Sequence, residues 1–208
     1  MLIICIQVNS QDFRMPGSYT SKGRHGFYLS YAPGLFLTET KLDGKDYGHI
    51  KISGSGLGMD MKIGGALSNN LILHATIIGH GINGPKIRND NDGIHNWKSD
   101  NSVSFTEMMI GAGITYYNAY DYLFSASAGL GNFTLESEKK DIDITTDDGF
   151  SYQLKVGKEW LISSRIALGV AFFFHHSNCL NQKGNDYEER LKSKNLGIVL
   201  NATYNSRR

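Results

Sequence analysis

The chain has little cysteine, little proline and no long hydrophobic run. Only Cys5 and Cys179 occur among 208 residues, which argues against a disulfide framework and a cysteine-based metal site. No apolar run approaches the roughly 20 residues that a membrane helix needs, and a mean hydropathy of -0.29 argues against a helical membrane protein. Three prolines beside 24 glycines suit closely approaching, curved strands better than disorder.

The charge balance is also unremarkable. Lys and Arg total 21 against 20 for Asp and Glu, which leaves a net charge of +1. No strong field favours an acidic partner, and we expect no nucleic-acid partner. The length fits one domain and is sufficient to close a sheet of about eight strands.

A period-two alternation of apolar with small or polar residues returns about eight times. In the clearest copy, residues 196–204, the even positions are apolar and end in Tyr204. Successive side chains of a strand point to opposite faces, so each such segment has one apolar and one more polar face. We predict strands at 27–38, 57–64, 71–80, 107–117, 122–131, 150–160, 165–175 and 196–204.

Short and long connections alternate between these strands. The predicted long loops cover 39–55, 81–102, 136–148 and 176–193, and short turns fall at 68–70, 118–121 and 161–164. This alternation is typical of membrane barrels. An eight-strand interior holds small and paired polar side chains but not all the apolar ones. The sequence therefore predicts an all-β fold, a closed antiparallel up-and-down transmembrane β-barrel with its apolar faces outward.

The polar faces supply the predicted lumen. Around eight strands leave room for side chains but not for a large solute pore, so we expect a plugged interior whose charges neutralise one another. A proton or ion path is the alternative. The predicted lumen network consists of Asp60, Lys62, His74, Glu107, Gln153, Lys155, Glu159 and Arg165.

Aromatic residues lie on the apolar faces beside the short turns or at the chain end. Such positions are where an interfacial girdle sits in membrane barrels. The predicted girdle consists of Tyr116, Tyr122, Trp160 and Tyr204.

Three segments carry a resemblance: Gly-Lys-Glu-Trp at 157–160, Ala-Leu-Gly-Val at 167–170, and the terminal strand 196–204. Together they resemble the small outer-membrane β-barrel families, the group that contains the OmpX-like and OmpW-like proteins, over about residues 25–205. The resemblance implies a multi-pass protein of a Gram-negative outer membrane, with both ends of the barrel domain in the periplasm. It also implies extracellular loops with a structural, adhesive or binding role. The implied partners are outer-membrane lipid, lipopolysaccharide, the barrel-assembly machinery acting on the C-terminal strand, and an extracellular partner of the loops.

Residues ahead of the barrel divide into two expected parts. Residues 1–10 fit the tail of a signal peptide because Val8-Asn9-Ser10 follows a short apolar stretch. Residues 11–24 are then a periplasmic N-terminal segment. A frayed native N-terminus is the alternative for residues 1–10.

One stretch suggests catalysis. His175, Ser177 and Asn178 at the end of a late strand, with Glu189 downstream, resemble the lipid A 3-O-deacylases. The resemblance implies His175 as base, Ser177 as nucleophile, Glu189 as orienting acid and Asn178 near the oxyanion. The other interpretation is a polar strand end entering a loop, and no activity is assigned.

A third alternative is a soluble lipocalin-like barrel that holds its apolar residues inside. No cofactor and no metal are predicted, because the spacing of His49, His80, His95, His175 and His176 resembles no ligand set.

Overall fold

A computed structural model describes residues 24–44, 48–89, 95–98, 103–137, 142–182 and 188–206. The predicted signal-peptide remnant, residues 1–10, and all of the segment 11–24 except Arg24 lie outside the described residues. Within the described ranges, no helix is long and apolar enough to cross a membrane.

Within the described residues, eleven strands make up a single sheet. In chain order they are β1 Phe27–Gly44, β2 Gly48–Ala66, β3 Leu71–Asn83, β4 Lys86–Asn89, β5 His95–Lys98, β6 Val103–Tyr117, β7 Tyr122–Ser137, β8 Ile142–Thr145, β9 Gly149–Leu161, β10 Ile166–Gln182 and β11 Glu188–Asn205.

Eight of the strands close into a barrel. The order around the wall is β1, β11, β10, β9, β7, β6, β3 and β2, and β1 pairs β2 to complete the ring. Every pairing in the ring is antiparallel. Each strand pairs with the barrel strand before or after it in the chain, and the first strand, β1, also pairs with the last, β11. The hairpin of β4 and β5 continues from β2, and β8 pairs β7. The predicted closed antiparallel up-and-down barrel is confirmed.

The loops were predicted too long. β1 continues to Gly44 and β2 begins at Gly48, so the predicted loop 39–55 is almost entirely strand. Segments 81–102, 136–148 and 176–193 likewise contain strand extensions or the short strands β4, β5 and β8. In these extensions the outward side chains become polar, as at Glu39 and Lys41, so the hydrophobic alternation stops while the backbone ladder continues.

The two ends of the barrel differ. Described connections 67–70, 118–121 and 162–165 are tight turns at the end where Phe27 and Asn205 also lie, which we call the turn end. The opposite end, formed by the strand extensions, we call the loop end. At one turn the Oδ1 of Asn118 accepts hydrogen bonds from the backbone N–H of Tyr120 (2.9 Å) and Tyr122 (3.0 Å). This side-chain bonding stabilises the turn that begins at Asn118, directly after β6 ends at Tyr117. The predicted short turns are confirmed.

A band of exposed apolar side chains surrounds the barrel next to the turn end. On β11 the outward residues Leu196, Ile198 and Leu200 are followed toward the loop end by Lys194 and Lys192. About ten residues of each strand fall in the band, which matches a tilted crossing of a hydrocarbon layer. The soluble lipocalin-like alternative is wrong, because these apolar residues face outward. Exposed members include Leu35, Leu37, Leu57, Met61, Ile63, Leu73, Ile110, Ile114, Phe124, Leu130, Leu154, Val156, Leu168 and Phe172.

Candidate functional site

The middle of the lumen holds one carboxylate between two ammonium groups. Asp60 on β2 accepts hydrogen bonds from Lys62 Nζ at 2.5 Å and from Lys155 Nζ at 2.7 Å. Lys155 also donates to Asn201 at 3.4 Å, and Lys62 to Gln153 at 3.4 Å. All of these side chains are buried, so the charges are compensated by one another and by amide oxygens.

The turn end of the lumen is occupied by Arg24. Its Nη2 lies 2.9 Å from Oε2 of Glu159, and its guanidinium stacks 3.5 Å from the ring centre of Tyr117. Oε1 of Glu159 accepts hydrogen bonds from Thr203 (2.8 Å) and Tyr117 (3.3 Å). Sequence reasoning missed Arg24, because it precedes the first strand and no alternation marks it as inward.

A third buried cluster lies closer to the loop end. Glu107 Oε1 is 2.9 Å from His175 Nε2 and accepts a hydrogen bond from Ser193 at 2.8 Å. Glu107 Oε2 accepts one from Asn195 at 2.7 Å. His80, directly opposite Glu107 in the β3–β6 register, lies with its ring centre 4.9 Å from that of His175.

Seven of the eight residues predicted for the lumen network are buried there. His74 is among them, with Nε2 3.0 Å from the hydroxyl of Thr115. Arg165 is a correction, because it is exposed in the turn that precedes β10. Its odd number matches the inward-facing residues of β10. However, β10 begins only at Ile166, so Arg165 lies outside the barrel wall and does not reach the lumen.

The residues suggested for lipid hydrolysis are not arranged as a triad. His175 and Ser177 are fully buried in the lumen, and His175 Nε2 is 3.1 Å from Ser177 Oγ and 2.9 Å from Glu107. Ser177 and Glu107 therefore contact the same ring nitrogen of His175. In a catalytic triad the nucleophile and the acid contact different nitrogens of the histidine. Glu189, the predicted acid, is far from His175. In the β10–β11 register Glu189 is opposite Asn181, and His175 is opposite Asn195. Glu189 and His175 are therefore six residues apart along the strands, or about 20 Å. Asn178 is exposed and on the outward face.

The predicted girdle residues lie on the outside of the barrel near the turn end. Tyr116, Tyr122 and Trp160 are exposed, and Tyr204 is half-buried opposite Ile166. Lys158 Nζ lies 4.8 Å from the ring centre of Tyr122 and 5.8 Å from that of Trp160. Their role at a lipid interface remains a prediction.

Cations form a row on the outer surface of the loop end. Lys41 of β1 is directly opposite Lys192 of β11 on one side and Lys51 of β2 on the other. Lys51 in turn is directly opposite Arg88 of β4. We call Lys192, Lys41, Lys51 and Arg88 the cation row. Sequence reasoning missed it, because the four residues lie in three segments predicted as loops.

Solved structures share this architecture. The outer membrane protein OprG from Pseudomonas aeruginosa aligns with a TM-score of 0.53 at 6% identity, covering 90% of this chain and 100% of that one. Neisserial surface protein A aligns at 0.46 and 15% identity, covering 86% and 98%. The sequence matches no protein-family model and no curated protein.

These findings define the class of the protein. The closed eight-strand ring and its likeness to OprG give the fold of a small outer-membrane β-barrel. The exposed apolar band gives it the surface that such a barrel presents to lipid. The chain therefore has the fold of an outer-membrane β-barrel, as the sequence predicted.

Proposed function

We propose that this chain is a binding protein anchored in the outer membrane, with a lumen closed to solutes. The bound group is the phosphate of lipopolysaccharide, held by the cation row. With the turn end in the periplasm, the usual orientation of such barrels, the loop end meets the outer leaflet and the medium.

The observation that carries this proposal is the register of the cation row. Like charges directly opposite each other on neighbouring strands are destabilising. Lys41 has a lysine opposite it on both sides, and Lys51 has Lys41 and Arg88. An anion lying along the row would turn this repulsion into binding energy, and its several phosphate oxygens suit several cations at once.

The depth of the row also supports a lipid headgroup. Lys41 and Lys192 each lie four residues beyond the last outward leucine of their strands, Leu37 and Leu196. At about 3.3 Å per residue along a tilted strand, this puts the cations roughly 10 Å above the apolar band. Phosphates of a membrane lipid lie at that level, just outside the hydrocarbon layer.

Two acids beside the row, Glu39 and Asp43, are engaged by neighbouring side chains. Lys51 Nζ is 2.6 Å from Glu39, and His49 is 2.7 Å from Asp43. A groove of about 480 Å³ runs between them and is lined by Lys41, Asp43, His49, Ile50, Lys51 and Arg88. The groove leaves room for a phosphate between the two lysines and Arg88.

The closed lumen is supported by the three buried clusters. Asp60 with its two lysines, Glu159 with Arg24, and Glu107 with His175 occupy successive levels of the interior. Nearer the loop end, the interior is apolar and is filled by Ile82, Phe105, Phe133, Cys179 and Leu191. Eight-strand barrels have an interior just wide enough for side chains.

Binding is tested with full-length protein refolded in detergent micelles and titrated with lipopolysaccharide. Each cation near an anionic surface contributes about 1 kcal/mol. Replacing two of them, in Lys41→Gln/Lys192→Gln, should therefore weaken binding about 30-fold. The affinity of the wild type should also fall as salt is raised.

The control removes an exposed cation at the turn end. Arg165→Gln should bind lipopolysaccharide as the wild type does, because that residue lies on the opposite side of the apolar band. Lipopolysaccharide stripped of its phosphates should bind the wild type as weakly as the double variant. Equal affinities for the wild type and the double variant would contradict the proposal.

The closed lumen is tested by conductance in planar lipid bilayers. The wild type should show no steady ion current above that of the bare membrane. Asp60→Ala/Lys62→Ala/Lys155→Ala, which empties the central level, should raise the frequency of open events. A stable conductance from the wild type would show that the buried clusters leave a path.

A further inference from the structure

We propose that His80, Glu107 and His175 form a binding site for a divalent transition-metal ion of the Zn²⁺ class inside the barrel. The site is independent of the cation row, and it uses the Glu107–His175 cluster of the lumen. It would join the paired strands β3 and β6 to β10, which lies across the barrel from them.

The first argument is the convergence of the three side chains. His80 and Glu107 are direct partners across β3 and β6, and His175 reaches them from β10. One ligand atom from each lies within 4.8 Å of the other two, and all three residues are buried. Metal–ligand bonds of about 2.1 Å allow ligand atoms up to about 4.2 Å apart. Small side-chain rotations would therefore bring all three ligand atoms to bonding distance of one ion.

The chemistry of the donors selects the metal class. Two imidazoles and one carboxylate suit Zn²⁺ and its first-row neighbours, and they leave a position open for water. Ca²⁺ and Mg²⁺ prefer sites made of oxygen ligands. Cations of that kind should therefore not compete.

The second argument is that the cluster is not satisfied by its own hydrogen bonds. The Nδ1 atoms of His80 and His175 are buried and have no hydrogen-bond partner among the described residues. Buried polar atoms are nearly always paired, and either ring nitrogen of histidine can bind a metal. A bound ion, together with a water molecule on it, would supply partners for these ring nitrogens.

The surroundings of the cluster hold the ligands in place. The His80 ring stacks on Phe173 with centres 5.2 Å apart, and Phe36 lies 4.8 Å away on a tilted plane. Glu107 accepts hydrogen bonds from Ser193 and Asn195, an outer shell of the kind that orients metal-binding carboxylates. The unit charge of Glu107 offsets part of the ionic charge.

The test is metal analysis of full-length protein refolded with Zn²⁺ and then passed through a desalting column. We expect about one bound zinc per chain, retained in an excess of Ca²⁺. His80→Gln and Glu107→Gln should each weaken binding at least tenfold, since even the loss of an outer-shell partner of a metal ligand typically costs about that much. His74→Gln, a buried lumen histidine at another level, should bind as the wild type does.

A spectroscopic readout separates this site from exposed histidines. Loaded with Cu²⁺, the wild type should give an electron paramagnetic resonance spectrum with coupling to two imidazole nitrogens, and His175→Gln should show one. The proposal is overturned if zinc binding survives in His80→Gln/His175→Gln, or if the refolded wild type retains no zinc. Circular dichroism of each variant checks that the barrel has formed.

Discussion

The carboxylate of Asp60 lies 2.7 Å from the ammonium group of Lys155, 95 positions further along the chain. Their strands, β2 and β9, are four places apart in a ring of eight, so the ion pair spans the full width of the barrel. Lys62 binds the same carboxylate from a neighbouring position on β2. One acid thus compensates two buried cations at the centre of the molecule.

Asp60→Asn should be strongly destabilising. It leaves Lys62 and Lys155 buried without a negative partner, and breaking a buried pair in this way costs about 3–5 kcal/mol. Urea unfolding in detergent micelles, followed by the mobility of unheated samples on gels, measures the free energy of unfolding. A loss below about 1 kcal/mol would contradict the assigned role.

A companion variant separates charge from shape. Asp60→Leu/Lys62→Met/Lys155→Met removes all three charges and keeps similar volumes. Replacing buried ion pairs by apolar residues is often neutral or stabilising by about 1–4 kcal/mol. We therefore expect the triple variant to be far more stable than Asp60→Asn, despite carrying two further substitutions.

Arg24→Ala should also destabilise the barrel, because it leaves the carboxylate of Glu159 buried and uncompensated. The expected loss is about 3 kcal/mol or more. Arg165→Ala removes an exposed arginine at the same end and should change stability by less than about 0.5 kcal/mol. The same unfolding assay compares them. Equal effects of the two substitutions would show that Arg24 is not a structural part of the lumen.

Gly197 should not tolerate a side chain. A Cβ atom there would lie 2.4 Å from the carbonyl oxygen of Leu35 and 2.5 Å from the ring of Phe173. Gly197→Ala should lose about 1–3 kcal/mol by overpacking. At Gly79 the nearest atom is 4.0 Å away, on Met59, so Gly79→Ala is the matched control and should be neutral or stabilising. Similar losses at both positions would contradict this packing.

Ser177→Ala should leave lipid A acylation unchanged in a host that expresses either form. Ser177 is fully buried inside the barrel, where its hydroxyl accepts a hydrogen bond from Ser151 at 2.6 Å and lies 3.1 Å from Nε2 of His175. Mass spectrometry of extracted lipid A is the readout. Loss of an acyl chain with the wild type but not with the variant would restore the hydrolase hypothesis.

Much of the fold was readable from the sequence, because lipid on one face and a small lumen on the other impose strict alternation. Asp60, Lys62 and Lys155 could be assigned inward from parity alone. The same logic failed beyond the apolar band. At Glu39, Lys41 and Asp43 the outward face lies beyond the apolar band, so polar residues there look like a loop although the strand continues.

The sites were less predictable than the fold. Alternation gives the face of a residue but not its partner across the barrel, which depends on strand order and register. Glu107 and His175 are 68 positions apart, and no spacing in the sequence brings them together. The cation row likewise depends on three registers, those of β1 with β11, β1 with β2 and β2 with β4. Arg24 lies outside any strand.

The most direct test of the binding function compares the stability of Lys41→Gln and the wild type with and without lipopolysaccharide. Lys41 has a lysine directly opposite on each side. Without the ligand, the variant should be more stable by about 0.5 kcal/mol, because like-charge repulsion is relieved. With saturating lipopolysaccharide the order should reverse, since the variant gains about 1 kcal/mol less from binding. A variant that is less stable by the same amount in both conditions would show that Lys41 is structural and would contradict the account.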